Sequence, residues 1–381
     1  MSAYSDYLET GALPPSLAQT YDGLFSVGLS VTPNDLRTAK GQEILWRNFN
    51  SLTTGNEMKA DFTMDYNATL KAGDETRVKL NLTRADKVLS FAQEHGMKMR
   101  GHTLVWHSQV PRWFFTAGYQ NGKESPLAAR EVILQRMENY IRDLMEYVNT
   151  TYPGLVYAWD VVNEAIEPAN GHENGYRTQN NLWYETLGDD FIELAFTFAR
   201  KYAEPSQKLF YNDYNEYEKN KLFLILNLLK DLQSKGLVDG MGMQAHIGID
   251  QPLTAFEEAM TMYGALGLEV HVTELDIKIE DGSVVGRLNL AVKYKRLFSM
   301  FKRLKEKGIV DVTNVTIWGV LDSDTWLNYA NGGGHTYYPL LFDGDYAYKA
   351  AYFGALLDEA IPISNTEEAL REAAVKLGLA D

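Results

Sequence analysis

The sequence of 381 residues contains no cysteine. Disulfides, thiolate nucleophiles and cysteine-built zinc sites are therefore excluded. Basic residues are also in deficit, with 36 Lys and Arg against 51 Asp and Glu and a net charge of -15. A chain of that sign repels a phosphate backbone and an anionic bilayer, so neither nucleic acid nor membrane is expected as a partner. No apolar run approaches the roughly 20 residues of a membrane span. Residues 1–20, MSAYSDYLETGALPPSLAQT, have neither the basic start nor the apolar stretch of a secretion signal. The expected location is cytoplasmic.

Aromatic residues make up 12% of the chain, with 23 Tyr and 7 Trp, a composition that suits a site stacking the rings of a ligand, although large cores also use Tyr. After residues 1–20, read as an extension with a Pro-Pro break, short β-prone runs alternate with helical patterns. The runs are Leu24–Ser30, Asn48–Thr54, Met97–Thr103, Val156–Val162, Leu209–Asn212, Gly240–His246, Leu268–Thr273 and Val315–Val320. Helical spacing marks Arg84–His95, Ala128–Val148, Phe191–Tyr202, Lys219–Lys235, Leu253–Ala265, Leu288–Lys307 and Tyr346–Leu357. Glycines at 96, 236 and 308 supply left-handed stops. This alternation predicts an α/β fold, a single-domain (β/α)8 TIM barrel over 21–360, with a helical tail over 361–381. Leu370, Ala373, Ala374 and Leu377 give the tail an apolar face. Packing on the barrel is the first expectation for it, and a homo-oligomer contact is the second.

Active sites of parallel barrels lie at the carboxyl ends of the strands. Here polar and aromatic residues gather at those ends. They are Asn56, Glu57 and Lys59 after the second run, and His102, Trp106, His107 and Gln109 after the third. Asn163 and Glu164 follow the fourth, Asn212 to Asn215 the fifth, and Gln244 and His246 the sixth. Glu274 and Asp276 follow the seventh, and Trp318, Asp322 and Trp326 the eighth. Scattered surface polarity would not repeat at one end of so many strands, so a polar cleft is expected. Side chains two apart on a strand share a face. Glu274 and Asp276 then face one way, as do Gln244 and His246, which would set His246 between the two carboxylates. His271 has the opposite parity and reads as structural, and His95, His172 and His335 read as packing or solvated residues. The seven histidines form no H-E-x-x-H. Asn, Gln and Trp dominate the cleft, so neither a metal nor another cofactor is expected.

At these residues the chain strongly resembles the glycoside hydrolase family 10 xylanases. The matching stretches are GHTLVWHSQVPRW (101–113), WDVVNE (159–164), LFYNDYN (209–215), QAH (244–246), TELD (273–276), Trp318-Gly319 and PLLFD (339–343). The resemblance runs from residue 24 to about 357. It implies retaining hydrolysis of β-1,4-xylosidic bonds, with xylan or xylo-oligosaccharide as the substrate partner. Position by position, it implies Glu164 as acid/base and Glu274 as nucleophile. Asn163 would bind the sugar 2-hydroxyl, and His246 and Asp276 would tune Glu274. Asn56, Lys59, His102, Trp106 and Gln109 would line the non-reducing side. Gln244, Trp318 and Trp326 would enclose the sugar next to the cut, and Asn212 and Tyr214 would lie toward the leaving group. A non-proline cis peptide is implied at His102-Thr103. Two places depart from the family pattern. Gly55 stands where a sugar-binding Glu is expected and Ala60 where a Trp is common, and the 328–338 loop carries NGGG and Tyr337-Tyr338. Both concern the distal non-reducing subsite, and a preference for short oligomers is expected from them. A related β-1,4-glucanase would share the two glutamates. A non-catalytic sugar-binding barrel would keep the aromatics and lose one glutamate.

Overall fold

The computed structural model describes residues 2 to 379. Among the described residues, eight parallel strands alternate with helices in the order of a (β/α)8 barrel. They are β1 (Ser26–Val31), β2 (Ser51–Thr54), β3 (Lys98–Trp106), β4 (Val156–Asn163), β5 (Lys208–Asp213), β6 (Gly240–Met243), β7 (Glu269–Lys278) and β8 (Val312–Ile317). The short strand His246–Gly248 follows β6 in sequence after a break. Leu52–Met243 forms one compact unit, and the chain on either side of it forms a second.

Within the first unit, β3 pairs with β4, β4 with β5 and β5 with β6. These strands are almost wholly buried, as strands with both faces covered must be. The residues of β4 other than Tyr157 are buried, including Trp159 with no exposed surface. Gly101 is the register partner of Trp159, and a Cβ placed there would lie 2.2 Å from the indole ring. Glycine at 101 is thus a packing requirement of the barrel wall rather than a turn signal.

Within the second unit, β8 lies between β1 and β7, and β7 pairs with His246–Gly248. Strand β7 was expected to end at Thr273, yet it runs on to Lys278. Asp276, Ile277 and Lys278 find ladder partners in His246, Ile247 and Gly248. Glu274 is therefore a strand residue held by backbone pairing, not a loop residue. The expected sixth run, Gly240–His246, is broken at Gln244-Ala245, where Ala245 has φ +60°. Strand period therefore does not relate Gln244 to His246.

The helices match expectation closely at Phe191–Tyr202 and within a few residues at Thr83–Glu94, Arg130–Thr151, Lys219–Ser234, Thr254–Gly264 and Val284–Glu306. Gly96, Gly236 and Gly308 all take positive φ, as their capping role requires. The final barrel helix is shorter than expected, Ala350–Ala355. The helix Ala39–Asn48 was not anticipated. Its end overlaps the start of the expected second strand, but Asn48 donates its side-chain amide back to Ile44 O at 2.9 Å inside the helix.

The first 20 residues carry helices Ala3–Thr10 and Leu17–Thr20. The Tyr4 ring stacks on Phe353 at 4.4 Å, and Tyr352 donates to Pro15 O at 2.9 Å. The tail helix, Glu367–Lys376, buries Leu370, Ala373 and Ala374 within the chain itself. Among the described residues no helix is long and apolar enough to cross a membrane.

Gly101→Ala should cost roughly 1 to 3 kcal/mol through overpacking against Trp159. Urea unfolding of the variant beside the parent chain measures it.

Candidate active site

The cleft residues fall into two constellations, one in each compact unit. The first surrounds Glu164. This residue leaves β4 with φ +57°, a left-handed conformation unusual for a side chain with a Cβ. Its N–H donates to Asn212 O at 2.9 Å, and its Oε2 accepts from Trp106 Nε1 at 2.8 Å. Neighbouring Asn163 is buried, and its Oδ1 accepts from Asn212 Nδ2 at 2.8 Å. An acceptor oxygen engaged in this way turns the Asn163 amide so that its N–H donors point elsewhere.

Asn56, Lys59, Gln109 and Trp106 form one cluster beside it. Lys59 Nζ lies 3.0 Å from Asn56 Oδ1 and 2.9 Å from Gln109 Oε1. Gln109 Nε2 reaches Asn56 Oδ1 at 3.2 Å, and Lys59 stands 4.9 Å over the Trp106 ring. Glu57 is buried, with Oε2 accepting the Asn56 N–H at 3.1 Å.

His102 and Asp160 are register partners across β3 and β4, and His102 Nδ1 lies 2.9 Å from Asp160 Oδ2. Arg100, two residues earlier on the same face, grips Asp160 with bonds of 2.9 and 2.6 Å. Burial alone would raise the Asp160 pKa. The Arg100 guanidinium and His102 outweigh burial and hold the carboxyl well below its usual range. The His102-Thr103 peptide is cis.

The second constellation surrounds Glu274, which is 5% exposed. His246 Nε2 lies 3.2 Å from Glu274 Oε2, and Nδ1 lies 2.9 Å from Asp276 Oδ1 as a close charge contact. The bracketing expected from sequence is therefore present. It arises because His246 pairs with Asp276 in the ladder, not through Gln244. Burial would lower the His246 pKa, but Asp276 and Glu274 overcome it and raise the imidazole well above its usual range. Asp276 Oδ2 accepts from Trp326 Nε1 at 2.7 Å, and the Trp326 ring stands 5.1 Å from His246. Trp326 stays 44% exposed, so an indole face is open at this site. Trp318 follows β8, and its N–H donates to Leu275 O at 2.9 Å. Asp322, counted among the cleft residues, is instead buried in an ion pair of 2.6 Å with Lys349.

His271 is buried and bonds Thr313 Oγ1 at 2.8 Å. His95 bonds Phe91 O at 2.9 Å, His172 pairs with Asp189 at 3.0 Å, and exposed His335 pairs with Glu280 at 3.3 Å. Among the described residues no group of three His, Asp or Glu could hold a metal ion.

Several residues near Glu164 escaped the sequence reading. Arg177 donates from Nε to Glu164 O at 3.0 Å and from Nη2 to Tyr214 OH at 3.0 Å. Lys221 pairs with buried Asp213 at 2.7 Å and stands 3.8 Å over the Tyr214 ring. The one local signal was an acidic residue inside a strand, as at Asp160 and Asp213, since such a charge requires a cation close by.

The family model for Glycosyl hydrolase family 10 matches residues 16–357. The chain belongs to that family. It is 39% identical over 345 residues to endo-1,4-beta-xylanase B of Butyrivibrio fibrisolvens, covering 90% of this chain and 53% of that protein. It spans about a third to a half of the length of the first curated relatives it matches. Among solved structures it superimposes on the Clostridium thermocellum endo-1,4-beta-D-xylanase 10B complexed with xylohexaose. The TM-score is 0.81 at 34% identity, covering 92% of this chain and 68% of that one. It also superimposes on the intracellular xylanase of Thermoanaerobacterium saccharolyticum, in a complex of a mutant with xylotetraose. That TM-score is 0.77 at 34% identity, covering 90% of this chain and 98% of that one.

The two site imidazoles should titrate in opposite senses. Burial, with Arg177 and Lys221 adding to it, pushes the His107 pKa down to about 3. His107 should stay neutral from pH 7 to 4, while His246 should hold its proton to higher pH than a free imidazole does. A histidine depressed on folding takes up its proton more readily in the unfolded chain. His107 therefore withdraws stability as pH falls from about 6.5 toward 3. His246, being raised, contributes its full stability below about pH 6.5 and loses it as pH rises through its folded pKa. Ring nitrogen shifts by NMR check both protonation states.

Proposed function

We propose that the chain hydrolyses β-1,4-xylosidic bonds with retention of configuration, with Glu274 as nucleophile and Glu164 as acid/base. The carrying observation is the imidazole between Glu274 and Asp276. A charged imidazole beside Glu274 favours the ionised carboxylate a nucleophile must be. Glu274 attacks the anomeric carbon, the carbon–oxygen bond to the leaving sugar breaks, and Glu164 gives its proton to the departing oxygen. Water then attacks the glycosyl-enzyme, and Glu164 takes the proton back. The indole N–H of Trp106 donates to Glu164 Oε2 and so helps to orient that carboxyl group.

Asn163 serves the 2-hydroxyl of the sugar at the cleavage site. Asn56, Lys59, His102, Trp106 and Gln109 serve the non-reducing side, while Gln244, Trp318 and Trp326 enclose the sugar next to the cut. Asn212 and Tyr214 face the leaving group. Short xylo-oligosaccharides are the proposed substrates. Gly55 offers no side chain at the distal subsite, and Glu57, the nearest carboxylate in sequence, already accepts a main-chain N–H. The likeness to an intracellular xylanase crystallised with xylotetraose supports the same substrates and a cytoplasmic location.

Glu274→Ala should abolish turnover, and azide should restore it with an α-glycosyl azide as product. Glu164→Ala should lose about 10²- to 10⁴-fold on xylo-oligomers yet largely keep kcat/KM on a dinitrophenyl xylobioside, with kcat there limited by the slowed second step. Normal activity in Glu274→Ala would overturn the assignment. Rates on an oligomer ladder test the length preference, and an aryl cellobioside control separates a glucanase.

A further inference from the structure

Arg177 sits where three elements of the Glu164 constellation meet. The left-handed backbone at Glu164 costs on the order of 1 kcal/mol or more, so its surroundings must hold it. They do so from several sides. Asn212 O takes the Glu164 N–H, and the Tyr211 hydroxyl accepts the next two N–H groups, Ala165 at 3.1 Å and Ile166 at 3.0 Å. Arg177 supplies the rest. Its own N–H donates to Ala165 O at 2.7 Å, and its Nε donates to the Glu164 carbonyl at 3.0 Å. The far end of the same guanidinium reaches Tyr214 OH at 3.0 Å and Glu167 Oε2 at 3.2 Å.

A guanidinium only donates hydrogen bonds. The Tyr214 hydroxyl must therefore accept from Arg177, and its own proton must point elsewhere. Among the described residues none accepts that proton. Lys221 over the ring face at 3.8 Å helps to fix the phenol. Tyr214 is thus a polarised donor awaiting an acceptor.

We propose that Arg177 is a positioning residue for leaving-group departure. It holds the main chain of Glu164 so that the carboxyl is correctly presented. It also orients the Tyr214 hydroxyl to donate to an oxygen of the sugar being expelled. This role rests on the functional reading above. It also predicts that Lys cannot replace Arg, because an ammonium cannot span both acceptors with the planar fork.

The test compares xylotetraose with a dinitrophenyl xylobioside, whose leaving group needs neither a proton nor a sugar-binding contact. Arg177→Ala, Arg177→Lys and Tyr214→Phe are measured beside the parent enzyme, with thermal unfolding as a check on folding. The ratio of kcat/KM for xylotetraose to that for the aryl substrate should fall about 10- to 100-fold in Arg177→Ala and Arg177→Lys. It should fall less in Tyr214→Phe, which loses only the donor. The alkaline limb of the pH profile should move in the two Arg177 variants and stay in place in Tyr214→Phe. An equal loss on both substrates, or none, would make Arg177 merely structural and overturn the proposal. An unchanged ratio in Tyr214→Phe would overturn the donor role. If Arg177→Ala does not fold, Arg177→Lys and Tyr214→Phe decide by the same ratio. Failure of the parent enzyme on both substrates would instead sink the functional reading.

Discussion

A charged imidazole held between two carboxylates is the interaction on which the Glu274 site depends. Placing His246 against Glu274 and Asp276 requires three things of the backbone. Strand β7 must continue past Glu274, the segment His246–Gly248 must pair with its end, and the chain must break at Gln244-Ala245 to bring that segment into line. Each has an energetic reason. Two acidic side chains with little exposure repel one another unless a cation lies between them, and a histidine there is charged only because both are present. The Trp326 indole bonded to Asp276 completes the arrangement and leaves an aromatic face exposed for a ligand.

The same electrostatic rule organises the other constellation. Asp160 would be costly to bury alone, and Arg100 and His102 neutralise it from the neighbouring strand. Asp213 is compensated by Lys221, yet burial still holds its carboxyl above the usual range. Glu164 takes the Trp106 indole N–H on its carboxylate and the Arg177 guanidinium on its carbonyl.

How far the chain could be read in advance depended on the range of the interactions involved. The period of two along β7 put Glu274 and Asp276 on one face, and their shared contact with His246 agrees. The helix stops at Gly96, Gly236 and Gly308 were readable because a left-handed cap is a single-residue property. The helix Ala39–Asn48 was not readable at its end. Asn48 is a weak helix former in isolation, but its amide bonds Ile44 O and also the hydroxyl of Tyr348, 300 residues away. Arg177 was invisible for a similar reason. Nothing in its neighbours announces a contact with Tyr214, 37 positions on.

The sequence by itself determined the strand–helix alternation, the residues delivered to the strand ends and the side of β7 on which its carboxylates project. All of these follow from stereochemistry within a few residues. Only the tertiary structure decided where β7 stops, that the sixth strand breaks before His246, that Asp322 is spent on Lys349, and that a single arginine joins Glu164 to Tyr214. Those outcomes turn on which distant backbone offers a hydrogen bond and which buried charge finds a partner, and no local pattern encodes either.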